Sequence, residues 1–248
     1  MAAVVDIWRG QGRLEESADW CAKLHAVVGD PLCFATGMAM ANAGRAEEAD
    51  QLLRRYVEQS HSRQQRLMEP AHNEQAVSAC LALAGLARKN NRPELAREWL
   101  QKARALATET DQPDVDCENV EIELSVGDLL AATQALEHLH QKVSQHPSYF
   151  ANLMYLSAKV AQASGDNTTA LALAQAASGL SDDRAACLLA SLEIEAGSVD
   201  NHRLEHHYQA ISGYSFDTLA IKLIIGRALE LPFPHDVPLA TLAMLDSN

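Results

Sequence analysis

Residues 33–56 read CFATGMAMANAGRAEEADQLLRRY. Gly44 interrupts two runs of small and apolar residues, and Ala49, Leu53 and Tyr56 follow it at fixed offsets. The same register returns three times, at Asn91-Ala96-Leu100-Ala103, Gly127-Ala132-Leu136-Leu139 and Gly165-Ala170-Ala174-Ala177. A weaker copy reads Gly12-Ser17-Cys21-Leu24. A turn followed by one helix face, repeated at this scale, is the signature of a helical solenoid. Such arrays bind partners along extended surfaces, so the register bears on function as well as fold.

Working outward, each turn residue separates two helical stretches. The periodicity predicts helices over 2–9, 14–28, 32–43, 46–66, 71–89, 94–107, 115–126, 129–145, 148–164, 168–180, 183–196, 201–212 and 216–230, with a short piece at 237–245. Breaks fall at Gly29-Asp30-Pro31, Glu69-Pro70, His146-Pro147 and Leu231-Pro232-Phe233-Pro234, and Thr110–Asp114 reads as a loop. Ser181-Asp182 reads as a helix cap. Strand signals are lacking. The crossing alanines are spaced by 47 residues from Ala49 to Ala96, then 36 and 38. The extra length of the first interval falls in the two long helices around Pro70. The register begins close to the N-terminus, as if inside a repeat unit, which implies either a truncated first unit or a piece of a longer repeat protein.

Composition narrows the function. The chain has 248 residues, 48% hydrophobic but only 5% aromatic, and a formal charge of -13. Abundant Ala and Leu favour helix, and small residues let helices approach closely. The acidic surface repels phosphate backbones, which argues against nucleic-acid binding. No apolar run is long enough to span a bilayer, and no signal peptide is visible at the start. Cys21, Cys33, Cys80, Cys117 and Cys187 are scattered without paired metal-type spacing, and read as reduced, buried residues of a cytoplasmic protein.

On these residues the chain resembles the tetratricopeptide repeat family. The resemblance implies an all-α solenoid of antiparallel helix pairs wound as a right-handed superhelix. The best unit is 33–56, where Gly37 takes the family's small first-helix position, Gly44 the turn and Ala49 the tight crossing. Unit 80–103 matches through Ala84, Asn91, Ala96, Leu100 and Ala103, and unit 154–177 through Ala158, Gly165, Ala170, Ala174 and Ala177. In unit 116–139 Val120 replaces the small residue, and Glu123 falls where the family often has an aromatic. Around Ala190 and Gly197 the departure is larger, with His202 in place of the crossing Ala. The implied organisation is repeats over 1–214 and a capping helix with tail over 215–248.

Chemistry-bearing motifs are few. His202-Arg203-Leu204-Glu205-His206 matches H-x-x-E-H, in which two histidines one helical turn apart share a zinc ion and the glutamate is the base. Against a hydrolase stand the need for a third ligand, with only about forty residues remaining, and the placement on a repeat's second helix. His207 strengthens the histidine cluster. His138 and His140 point to different sides of a helix and suit no single metal. Phosphate-binding glycine loops and nucleophile elbows are absent. The acidic pairs Glu15-Glu16, Glu47-Glu48 and Asp182-Asp183 sit near helix starts, where they complement the dipole. No catalytic residue, cofactor or dedicated metal site is expected.

In the family, first helices line a concave groove. Projecting that face gives Phe34, Met38 and Asn42, then Leu81, Arg88 and Lys89, then Asn152, Tyr155, Lys159 and Gln162. Phe34 and Met38 occupy two positions of the family's two-carboxylate clamp, so chaperone-tail binding is not expected. The mixed apolar, amide and basic lining suits a protein or peptide partner, with an acidic one favoured. The expectation is a non-catalytic cytoplasmic scaffold. Alternatives are a regulatory or substrate-presenting domain of a larger enzyme, and self-association through an apolar N-terminal face around Val4, Val5 and Trp8.

Overall fold

The computed structural model describes residues 13–67, 71–143, 147–180, 183–197 and 201–211, with Lys222, 224–226 and Leu229. The expected helices at 2–9 and 237–245, the cap at Ser181-Asp182 and the face around Val4, Val5 and Trp8 lie outside them, as does the boundary at 214/215. Only five positions of the expected capping helix are described. Among the described residues the regular structure is helical throughout. It comprises α1 (Leu14–Val28), α2 (Cys33–Asn42), α3 (Ala46–Leu67), α4 (Ala71–Lys89), α5 (Pro93–Leu106), α6 (Gln112–Ser125), α7 (Leu129–Val143), α8 (Phe150–Ala163), α9 (Asn167–Ser178), α10 (Asp183–Glu195) and α11 (Asn201–Ala210). Single 3-10 turns precede α2 (Asp30–Leu32) and α8 (Pro147–Tyr149). No described helix is long and apolar enough to cross a membrane.

The chain divides into two compact units, Glu15–Lys142 and Val143–Asn248 with Met1–Leu14. In the first, α2 pairs with α3 and α4 with α5, and α4 also touches α2 and α6. First helices therefore stand side by side. In the second, α8 pairs with α9, and α10 packs on both.

The hairpins are made by one backbone device. Gly44, Asn91, Gly127, Gly165 and Gly197 all have positive φ, between 56° and 84°. This left-handed conformation closes a helix and suits glycine, or asparagine second. The residue after the turn then donates back across five residues: Arg45 N to Met40 O, Arg92 N to Ala87 O, Asp128 N to Glu123 O and Asp166 N to Ala161 O, each at 2.9–3.0 Å. Asp128 and Asp166 go on to cap the next helix, accepting from Ala131 N and Thr169 N. Ala49, Ala96, Ala132 and Ala170 lie at the crossings and are wholly buried. So are the facing small residues Ala84, Ala158 and Ala190. This repeated geometry makes the all-α, tetratricopeptide-like pairing a property of the structure.

Two expectations need correction. The loop expected over Thr110–Asp114 is shorter, because α6 begins at Gln112. Pro113 occupies its first turn, where a missing N–H costs nothing, and Asp111 ties the approach by accepting from Thr108 N and Oγ1. In α11 the crossing position is not filled by His202, which is exposed, as are Glu205 and His206. The inward residues are Leu204 and His207. The cause is Glu193 on α10, a buried carboxylate that needs a cation or donor. Rotating α11 brings His207 Nε2 to 2.6 Å and Arg203 Nη2 to 3.0 Å from its two oxygens.

The pair α6–α7 is spaced wider than its neighbours. A polar cavity of about 460 Å³ opens along it, lined by Asp116, Asn119 and Glu123 of α6 and by Gln134, His138 and Lys142 of α7, among others. Val120 stands wholly buried where other pairs carry Gly or Ala, and Lys142 bridges to Asp116 at 2.7 Å. Glu123 is buried and held by Arg97 of α5 through Nε at 3.1 Å and Nη2 at 2.7 Å.

Candidate functional site

The residues projected onto the first-helix face fall into two groups, one in each compact unit. In the first unit, α2 places Phe34 and Met38 one turn apart, because residues four apart share a helix face. Both are half-buried and pack with Leu81 of α4 against the core built on Leu53, Leu83 and Trp99. The Phe34 and Tyr56 rings stand 5.3 Å apart at 42°, and Tyr56 Oη donates to Gln75 Oε1 at 3.0 Å. Phe34 is thus as much a core residue as a lining one. Its remaining exposed surface sits in a fixed aromatic frame.

Arg88 changes the expected electrostatics. Its Nε lies 3.0 Å from Glu118 Oε1 and its Nη1 3.5 Å from Glu121 Oε2, with all three side chains less than a fifth exposed. The positive charge is already balanced by α6. Burial pushes the Glu118 carboxyl above its ordinary range, Arg88 opposes that rise, and Glu121 adds to it. Lys89 is exposed and Asn42 half-buried. This face is apolar and aromatic, with its ion pairs closed among themselves.

In the second unit the expected residues do come together. Tyr155 lies on α8 with Lys159 Nζ 5.6 Å from its ring centroid. Arg184 of α10 covers the same ring at 4.9 Å and donates to Asn152 Oδ1. Gln162 Nε2 reaches Glu195 Oε2 at 3.5 Å. Two cations thus lie over one ring, and Glu195 stands against Gln162 on the same side of the unit. A cation over a ring face gains attraction from the ring's quadrupole.

Sequence reasoning missed Arg184, Glu118 and Glu121. The repeat register contained the signal for two of them. Arg184 precedes Gly197 by the interval that separates Asn152 from Gly165, and Glu121 stands to Gly127 as Lys159 does to Gly165. As to metal, His202 and His206 are exposed, and among the described residues no third histidine, cysteine or carboxylate joins them at ligand spacing. None of the five cysteines is in a disulfide; four are buried and Cys117 is half-buried.

By fold, the chain is a helix-pair repeat protein of tetratricopeptide-like architecture. No family model matches the sequence. No curated protein matches it. Among solved structures, one from a functional characterisation of Pseudomonas aeruginosa PilF is similar at 16% identity with a TM-score of 0.49, over 88% of this chain and 90% of that one.

Proposed function

We propose that this protein is a non-catalytic interaction scaffold that holds a segment of a partner protein against its first helices. The observation that carries this reading is the Tyr155 ring met by both Lys159 and Arg184, a cationic and aromatic surface built from two successive first helices. Such a surface recognises a carboxylate-bearing segment by charge and by stacking. Phe34 and Met38 supply a second, apolar contact, of the kind that anchors a helix or an extended peptide. The acidic preference attaches to the Tyr155 face rather than to Arg88, which is bound to Glu118 and Glu121. Five cysteines outside any disulfide support a reducing, cytoplasmic setting.

The test is affinity capture from native lysate with the wild type beside Phe34→Ala, Tyr155→Ala and Arg184→Ala. Bound proteins are identified by mass spectrometry, and helicity is checked for each variant. A partner kept by the wild type and lost by the Tyr155 and Arg184 variants supports the reading. Equal recovery by all four proteins refutes it.

A further inference from the structure

At the corner between α1 and α2, three side chains of different chemistry converge within nine residues. His25 lies in the last turn of α1, Asp30 opens the 3-10 turn, and Cys33 begins α2. His25 Nε2 is 3.2 Å from Cys33 Sγ. The potential ligand atoms of all three lie within 4.8 Å of one another. The corner is fixed by its backbone. Gly29, at φ 81°, donates to His25 O at 2.7 Å, and Leu32 N donates to Gly29 O at 3.1 Å.

We propose that His25, Asp30 and Cys33 form a binding site for a zinc-class divalent cation. In a tetrahedral zinc site with ordinary bond lengths, sulfur and nitrogen ligands stand about 3.5 Å apart. The His25–Cys33 edge is therefore close to ligand spacing already, and the Asp30 carboxylate needs only a small movement to complete a triangular face. Mixed nitrogen, oxygen and sulfur donors select zinc or cobalt over magnesium or calcium. Charge balance suits the place. A thiolate, a carboxylate and a neutral imidazole cancel a dication beside the wholly buried Cys33, and the remaining positive charge, on Arg55, is more than half exposed to solvent.

The metal-free state is also accounted for. Burial pushes the Cys33 thiol up, Asp30 adds to the rise and Arg55 opposes it. Binding replaces the S–H bond with a metal–sulfur bond, and one proton leaves to solvent. Half-buried His25 and Asp30 give the ion a way in, and a water fills the fourth position. Asp30 meanwhile keeps an outer partner in Arg55, whose Nη2 lies 2.6 Å from Oδ1. Such a partner orients a ligating carboxylate. The spacing escapes a search for cysteine pairs because it contains one cysteine.

The test is titration of the untagged, chelator-treated full chain with Co²⁺. One equivalent should produce a thiolate-to-cobalt charge-transfer band, the intense visible bands of a four-coordinate ion, and release of one proton. Zn²⁺ should abolish these bands. Cys33→Ser should lose the charge-transfer band, and His25→Ala and Asp30→Asn should each weaken binding at least tenfold. The His202→Ala/His206→Ala and Cys80→Ser proteins should titrate as wild type. If Cys33→Ser fails to fold, the half-exposed His25 and Asp30 variants decide the matter. Absence of the band in the wild type, its persistence in Cys33→Ser, or its loss in the His202/His206 variant overturns the proposal.

Discussion

A Cβ atom placed on Gly37 would stand 2.8 Å from both Cγ and Cδ2 of Leu53, closer than real Cβ contacts come. Leu53 is wholly buried and belongs to the core of the first unit, so it has no room to retreat. The pair α2–α3 is therefore closed by the absence of a methyl group on one helix and the presence of a branched side chain on the other. Gly37→Ala should cost ~1–3 kcal/mol by overpacking, and Leu53→Ala ~2–5 kcal/mol by leaving a cavity. The double variant should cost clearly less than their sum, because the second change makes the space that the first needs. Strict additivity in urea denaturation would show that the two residues do not share a contact.

The crossing alanines make a sharper test of the repeat register. Ala49→Leu and Ala96→Leu each force a branched chain into a wholly buried helix crossing and should cost ~1–3 kcal/mol. Ala176→Leu, on an exposed position of α9, should stay within about 0.5 kcal/mol of wild type. Thermal melts in which the two crossing variants behave like the exposed one would reject the assigned register.

The turns separate backbone strain from packing. Nothing lies within 4 Å of a Cβ placed on Gly165, yet its φ is +84°. Gly165→Ala should therefore cost roughly 1–2 kcal/mol through conformation alone. Asn91 holds the same turn at φ 56° with a side chain attached. Asn91→Gly should not lower the melting temperature. A large loss there would mean that the asparagine side chain, rather than the backbone, holds that hairpin.

Glu118 gives stability a pH dependence of known sign. Burial raises its folded-state pKa, so in the window just above the ordinary value of about 4.3 the native protein holds a proton that the unfolded chain has released. Stability therefore falls as pH rises through that window. Glu118→Gln removes this contribution while leaving an oxygen for Arg88 Nε to meet. The stability of wild type relative to the variant should decline from about pH 4 upward and level off once the raised pKa is passed. A difference that does not vary with pH, measured by urea denaturation at several pH values, would rule out a raised pKa at Glu118.

Much of the architecture was legible because it rests on steric rules that act over a few residues. A residue tolerant of positive φ, a small residue before it and an alanine after it are enough to specify a hairpin, and each can be seen in the chain at Gly44, Gly37 and Ala49. The start of α6 was not legible, because Pro113 reads as a loop residue and as a first-turn residue alike. The rotation of α11 was hidden for another reason. His202 sits at the right offset, but the orientation is decided by Glu193, on the preceding helix, and its demand for a partner. Charge on the candidate face escaped in the same way. Arg88 looks basic in sequence and is neutralised by Glu118 and Glu121, thirty or more positions away. Arg184 stands to Gly197 at the offset of a lining residue, but the register through Ala190 does not say which side chain reaches the Tyr155 ring from α10.

The shared turn has a consequence for how such a chain can change over generations. Each of the four described closures joins a turn's backbone N–H to a carbonyl of its own hairpin, so a hairpin carries its own instructions for folding back. Length can then be gained or lost between hairpins without rewriting them, as the 22 residues of α3 and 19 of α4 illustrate beside the 10 of α2 and 14 of α5. Duplication or deletion of a whole hairpin would leave every remaining bend intact. Trimming a single residue inside one would shift the alanine away from its crossing and undo that bend alone.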